Sequence, residues 1–175
     1  EMVASEVNDQ IRPDAFYFIP SYMSPLKTPS GLIDVKHRIK MVELVIQNLG
    51  FGTLRLDEIH RKGQSYTYDT LVAIKNEAPD AQLYFVIGTD QYEQLDKWYK
   101  IEELKKIVTF IVVNRGYPIQ SQSESIQPIN IPNIEISSTE IRERCQQNRT
   151  IHMWVPLNVE QYIFKEGLYG SSVCN

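Results

Sequence analysis

The residues best suited to chemistry lie in Ile136-Ser137-Ser138-Thr139-Glu140-Ile141-Arg142. The run Asn133 to Ile136 before them reads as a strand, and the residues after them read as a helix. Ser137 and Glu140 stand in the S-x-x-E spacing of a capping box, which marks a helix start. A helix start presents unpaired backbone N–H groups and the positive end of the helix dipole. The hydroxyls of Ser137 and Ser138, and the guanidinium of Arg142 about one turn on, would add donors and a fixed positive charge. That combination suits a phosphate. The same spacing also fits an ordinary capped surface helix.

Other candidates stand at the ends of strand-like runs. Leu83 to Ile87 leads straight into Gly88-Thr89-Asp90. A glycine there lets a ligand approach the backbone, and the Asp90 carboxylate can accept hydrogen bonds from ribose hydroxyls. Ile107 to Val113 is the most apolar run and ends at Asn114-Arg115-Gly116, where an arginine before a glycine turn suits an anion. Lys27 lies within Ser24-Pro25-Leu26-Lys27, past the β-favouring run Ala15–Ile19. Ser65 to Thr70 supplies hydroxyls at a helix start that Thr67 or Asp69 could cap. Trp98 can stack on a heteroaromatic ring, although core packing is the commoner use of such a residue. His37 has no partner of metal-ligand spacing, His60 lies in the basic cluster with Arg61 and Lys62, and His152 has no acid or base partner in sequence. They read as a surface histidine, part of a solvated basic turn and a structural residue, respectively.

The elements that must position these residues alternate along the chain. Residues 1–10 are helix-like, with Val3 and Val7 one turn apart, and Pro13 ends that run. Ala15–Ile19 predicts a buried strand, and Asp34–Leu49 an amphipathic helix capped by Asp34 and Gly50. Thr53–Ile59 predicts a strand, followed by a helix carrying Leu71 and Ile74 that Pro79 stops. Then come a strand over Gln82–Ile87, a helix over Gln91–Tyr99, a short helix over Ile101–Lys106 and a strand over Ile107–Val113. Residues 117–131 read as a surface loop, and a last helix carries Val159, Tyr162 and Ile163 up to Gly167. This alternation predicts an α/β fold, a doubly wound parallel sheet with helices on both faces. Such sheets bind ligands beyond the C-terminal ends of their strands. Lys27, Gly88, Asp90, Arg115 and Ser137 would therefore gather along one edge.

Bulk properties narrow the partners. At 175 residues the chain can bury a core as one domain. A net charge of −4 disfavours a nucleic-acid partner but allows a small anionic substrate. Cys145 and Cys174 make neither a disulfide framework nor a zinc pattern, and fit free thiols of a reducing cytosol. No apolar run reaches the roughly 18 residues of a membrane span, and no signal peptide is visible. A cytoplasmic protein with no membrane partner is expected, and homodimerisation is left open.

Taken in order, these pieces resemble bacterial nicotinate-nucleotide adenylyltransferases of the Gram-positive type. Ile136 to Arg142 resembles their phosphate-binding I-S-S-T-x-I-R motif. Ser65 to Thr70, Phe85 to Asp90, Leu95 to Lys100, Asn114-Arg115 and Val155-Pro156 to Tyr169 fit the same family in the same order. The resemblance implies a Rossmann-like nucleotidyltransferase domain over residues 1–175. It implies transfer of the adenylyl group of ATP to nicotinate mononucleotide, with Mg²⁺ accompanying ATP and no tightly bound cofactor. Carried over, Ser137, Ser138 and Arg142 hold the ATP phosphates, while Gly88 and Asp90 face the adenosine end. Thr67, Trp98 and Tyr99 hold the nicotinate ring. Arg115 meets the mononucleotide phosphate, and Lys27 approaches the reacting phosphates. Lys27 and Arg142 are the implied catalytic residues.

The family also begins with a strand, a G-G-x-F-x-P turn and an H-x-G-H segment that would immediately precede Glu1. The chain opens instead in what reads as the middle of a helix. The expectation is that the natural protein carries that segment upstream of residue 1. The alternatives are an adenylyltransferase for nicotinamide mononucleotide or phosphopantetheine, a non-catalytic nucleotide-binding relative, and a doubly wound domain with no nucleotide site.

Overall fold

A computed structural model describes residues 1–22, 33–116, 119, 123–133 and 135–171. Lys27 and Cys174 lie outside the described residues. The chain forms parallel sheets with helices on both sides. It divides into two compact units, one of Glu1, Pro13–His60 and Glu135–Asn175, the other of Met2–Arg12 and Arg61–Ile134.

In the first unit, β1 (Tyr17–Phe18) and β2 (Thr53–Leu54) pair in parallel, with Tyr17 opposite Thr53. The expected buried strand over Ala15–Ile19 is thus shorter than predicted, and Tyr17 is 41% exposed. Rings of Phe16, Phe18 and Phe51 pack together, with centroids 5.2 and 5.3 Å apart. Gly52 sits against this cluster at φ +102°, and a Cβ there would lie 2.6 Å from the Phe18 ring. Glycine is required at that position on both counts. Between the two strands in sequence, α2 (Val35–Leu49) is capped as expected. Asp34 accepts from the Lys36 N–H at 3.0 Å, and Gly50 closes the other end at φ 74°.

The strand predicted over Thr53–Ile59 stops after Leu54. Arg55 then clamps Asp57 with two bonds of 2.9 Å, and α3 (Asp57–Arg61) starts with Asp57 and Glu58 in its first turn. Acids there favour a helix through its dipole. Helices α7 (Ser138–Gln146) and α8 (Leu157–Lys165) enclose a core of Cys145, Ile151, Val159, Ile163 and Leu168. Met41, Leu44 and Val45 of α2 pack against that core. No strand forms among the described residues of 131–137.

The second unit contains α1 (Met2–Ile11), α4 (Thr67–Glu77), β3 (Leu83–Gly88), α5 (Thr89–Glu93), α6 (Ile101–Ile107), β4 (Val108–Asn114) and β5 (Ile126–Asn130). Its strands run parallel in the order β3-β4-β5. Phe110, Ile111 and Val112 of β4 have no exposed surface. A strand buried on both faces needs an unbroken apolar run rather than alternation, and β4 has one. β5 corrects the predicted loop over 117–131. Pro128 argued against a strand, but β5 lies at the end of the sheet, where proline is tolerated. Ile126 and Ile129, which point to opposite faces of the strand, are both buried.

The helix predicted over Gln91–Tyr99 is broken. α5 ends at Glu93, a 3₁₀ turn covers Leu95–Lys97, and Trp98 is extended. Burial of Leu95 and packing of Trp98 against the Phe85 and Phe110 rings outweigh helix continuity. At the start of α4, Tyr66 takes the cap position without a side-chain bond, so neither Thr67 nor Asp69 caps the helix. The buried Thr70 Oγ1 instead accepts from Arg61 Nη1 at 2.7 Å.

Phe110→Ala should lower the urea midpoint at unchanged m, by about 3–5 kcal/mol of stability. Burial raises the Cys145 thiol pKa above its ordinary value. Since the thiolate is the reactive form, peptide mass analysis should find Cys145 unalkylated by iodoacetamide in the native protein at pH 8 and alkylated in urea.

Candidate functional site

The C-terminal ends of β3 and β4 lie level, with Gly88 opposite Val113. Beyond them opens a cleft of about 730 Å³ lined by Gly88, Asp90, Gln91, Asn114 and Arg115, with Val3 of α1 on one wall. Of the five residues expected to gather along one edge, Gly88, Asp90 and Arg115 line this cleft, Ser137 belongs to the other unit, and Lys27 lies outside the described residues. Gly88 is extended, at φ −85°, and a Cβ on it would meet nothing within 4 Å. The protein itself imposes no steric need for glycine there, so the open space above it is available to a ligand. The Gly88 N–H donates to Gln91 Oε1 at 3.2 Å. Asn114 is buried, and its Nδ2 donates to Asn130 Oδ1 at 3.4 Å, tying the ends of β4 and β5. Asp90 and Arg115 are exposed, one of each sign on the same cleft.

An aromatic group in the same unit holds the other predicted residues. Thr67 is half-buried at the first position of α4. Trp98 is also half-buried, its ring nearly perpendicular to Phe85 and Phe110 at 6.0 Å from each. Tyr99 is 46% exposed, with the Tyr66 ring at 4.5 Å and the Tyr68 ring at 6.1 Å. Trp98 thus serves core packing while keeping some surface open, and Tyr99 is the more accessible ring.

A second depression, about 540 Å³, lies at the opposite edge of this sheet, beside Leu83 and Val108. Its lysines are largely engaged within the chain. Lys75 donates to the Ala81 carbonyl, and Lys105 pairs with Glu102 at 3.4 Å and Asp96 at 3.8 Å. It lies at the edge where parallel sheets do not usually bind substrates.

In the first unit, Ser137 caps α7 as its spacing predicts, its Oγ accepting from the Glu140 N–H at 3.1 Å. Ser137 and Ser138 are exposed, and the half-buried Arg142 donates to Thr139 Oγ1 at 3.4 Å. Sequence reasoning missed two neighbours. Burial raises the Tyr169 pKa, and the positive charges of Arg142 and then Arg38 oppose that shift. Arg38 also donates to the Tyr22 carbonyl at 2.9 Å. The available signal for Arg38 was an arginine in the first turn of the helix after β1; Tyr169 gave none.

Two histidine readings need correction. His37 is not a lone surface group, since its Nδ1 lies 2.7 Å from the Tyr162 hydroxyl. His152 has an acidic partner after all, Glu160 Oε2 at 3.0 Å, one turn into a helix that sequence separation had hidden. Among the described residues, no group of three His, Cys, Asp or Glu side chains could hold a metal ion, and no helix is long and apolar enough to cross a membrane.

The cytidylyltransferase-like family pattern matches residues 2–144, which gives the class that this sheet and strand-end cleft define. A curated protein of Staphylococcus haemolyticus (strain JCSC1435), named "Probable nicotinate-nucleotide adenylyltransferase", is 53% identical over 168 residues, 96% of this chain and 88% of that protein. The chain belongs to the nicotinate-nucleotide adenylyltransferases of the cytidylyltransferase-like family. Its fold is similar to two solved structures of Plasmodium falciparum nicotinic acid mononucleotide adenylyltransferase, one complexed with NaAD and one with APC. The TM-scores are 0.81 and 0.79 at 24% identity, covering 99% of this chain and 91% and 90% of theirs.

Ser137→Ala should remove the α7 cap and cost about 1 kcal/mol, a fall of roughly 2–4 °C in Tm by thermal unfolding. Ser137→Gly should cost only a few tenths of that.

Proposed function

We propose that the chain acts as one nucleotidyltransferase domain that transfers the adenylyl group of ATP to nicotinate mononucleotide, in NAD biosynthesis. The products are deamido-NAD and pyrophosphate. The observation that carries this reading is the cleft beyond β3 and β4, where Gly88, Asp90 and Arg115 come together in a member of this family.

A phosphate oxygen of the mononucleotide attacks the α-phosphorus of ATP. The new P–O bond forms as the bond to the β-phosphate oxygen breaks, and pyrophosphate leaves. No side-chain nucleophile is needed. The protein contributes alignment and fixed positive charge. In the second unit, Gly88 and Asp90 face the adenosine end, and Arg115 meets the mononucleotide phosphate. Thr67, Trp98 and Tyr99 hold the nicotinate ring. Ser137, Ser138 and Arg142 of the first unit hold the ATP phosphates, and the family resemblance assigns Lys27 to the reacting phosphates. Mg²⁺ accompanying ATP would, when bound, offset part of the negative charge of the phosphates. The phosphates themselves are its natural ligands, because hard oxygen donors suit Mg²⁺ and the described residues present no acidic cluster for it.

Pyrophosphate release from ATP and Mg²⁺ should be far faster with nicotinate mononucleotide than with nicotinamide mononucleotide. No release with the acid, or a preference for the amide, would overturn the proposal. Arg142→Ala should lower kcat/KM for ATP by about 10²–10³. Trp98→Ala should act chiefly on nicotinate mononucleotide. Equal effects on both substrates in both variants would contradict this division of roles.

A further inference from the structure

Lys100 is built unlike an ordinary surface lysine. It takes the cap position of α6 with left-handed backbone, φ 52° and ψ 40°, and makes no side-chain cap bond. Ser, Thr, Asp, Asn or Gly would be preferred in that place. Arg12, Lys62 and Asn148 also have positive φ, but each follows a helix, where a left-handed residue ends the helical run. Lys100 precedes one, so helix termination does not account for its backbone. Local strain of this kind points to a demand on the side chain.

The side chain is held over aromatic rings. Its Nζ lies 4.8 Å from the Tyr68 centroid and 5.3 Å from that of Tyr99. Tyr66 and Tyr99 stack beside it and are 40% and 46% exposed. Tyr99, by charge and by a side-chain hydrogen bond, and then Tyr68, raise the Lys100 pKa, so the ammonium is charged at neutral pH. Accessible aromatic surface beside a fixed cation is complementary to a flat ring that carries a carboxylate. The ring stacks and the acid group meets the ammonium. A neutral amide on the same ring could stack equally well but would gain nothing from the charge.

We propose that Lys100 is a specificity residue, its ammonium receiving the carboxylate of the nicotinate ring and so favouring the acid over the amide. This rests on the function proposed above and adds a residue to it. The test is the ratio of kcat/KM for nicotinate over nicotinamide mononucleotide in wild type, Lys100→Gln, Lys100→Arg and Lys100→Gly. Lys100→Gln and Lys100→Gly should lower the ratio roughly tenfold, and Lys100→Arg should hold it within about threefold of wild type. Lys100→Gly also relieves the backbone strain, so its Tm should match or exceed that of wild type, and a lower ratio in that variant is not an effect of unfolding. An acid-preferring wild type whose ratio is unchanged in Lys100→Gln and Lys100→Gly would overturn this inference alone. A wild type with no preference for the acid would overturn the proposed function, and this inference with it.

Discussion

The second unit depends on the burial of β4 on both faces. Phe110, Ile111 and Val112 expose no surface, so every polar backbone group of that stretch must be satisfied inside the sheet. Parallel pairing with β3 on one side and β5 on the other meets this demand. Pairing also fixes register, because a slip of one residue would turn each side chain to the opposite face. With Leu83 set opposite Val108, Gly88 must end level with Val113. The cleft is a consequence of that register. Arg115 follows Asn114 out of β4 beside the point where Thr89 and Asp90 follow Gly88 out of β3.

The same core organises the aromatic group. Phe110 of β4 and Phe85 of β3 meet edge to face at 6.2 Å, and Trp98 closes the cluster. Anchoring Trp98 there breaks the helical run after Glu93 and turns the following residues outward. Tyr99 is left accessible, and Lys100 follows it with left-handed backbone. The contacts that seat Trp98 also set where Tyr99 and Lys100 begin. In the first unit, α7 depends on a more local device, the Ser137 cap, which leaves Ser138 and Arg142 on the opening turn.

Features carried by local rules were legible in the sequence. The caps of α2, the Ser137 cap of α7 and the apolar run of β4 each follow from a short stretch of chain, and each is present. So is the gathering of Gly88, Asp90 and Arg115, which needed only parallel topology and strand-end positions. Features that depend on tertiary contacts were not legible. β5 was hidden by Pro128, whose tolerance depends on lying at the sheet's end. The break after Glu93 arises from packing of Leu95 and Trp98, against a helical sequence pattern. The His37–Tyr162 and His152–Glu160 pairs bring together helices or turns that spacing alone does not connect.

The central claim is that the register of β3 and β4 builds the substrate cleft. A crystal structure with nicotinate mononucleotide bound tests it most directly. The account predicts the mononucleotide phosphate beside Arg115, beyond Gly88 and Asn114, with its pyridine ring against Trp98 and Tyr99. A mononucleotide bound instead at the other edge of the sheet, among Lys75, Lys105 and Lys106, would contradict it.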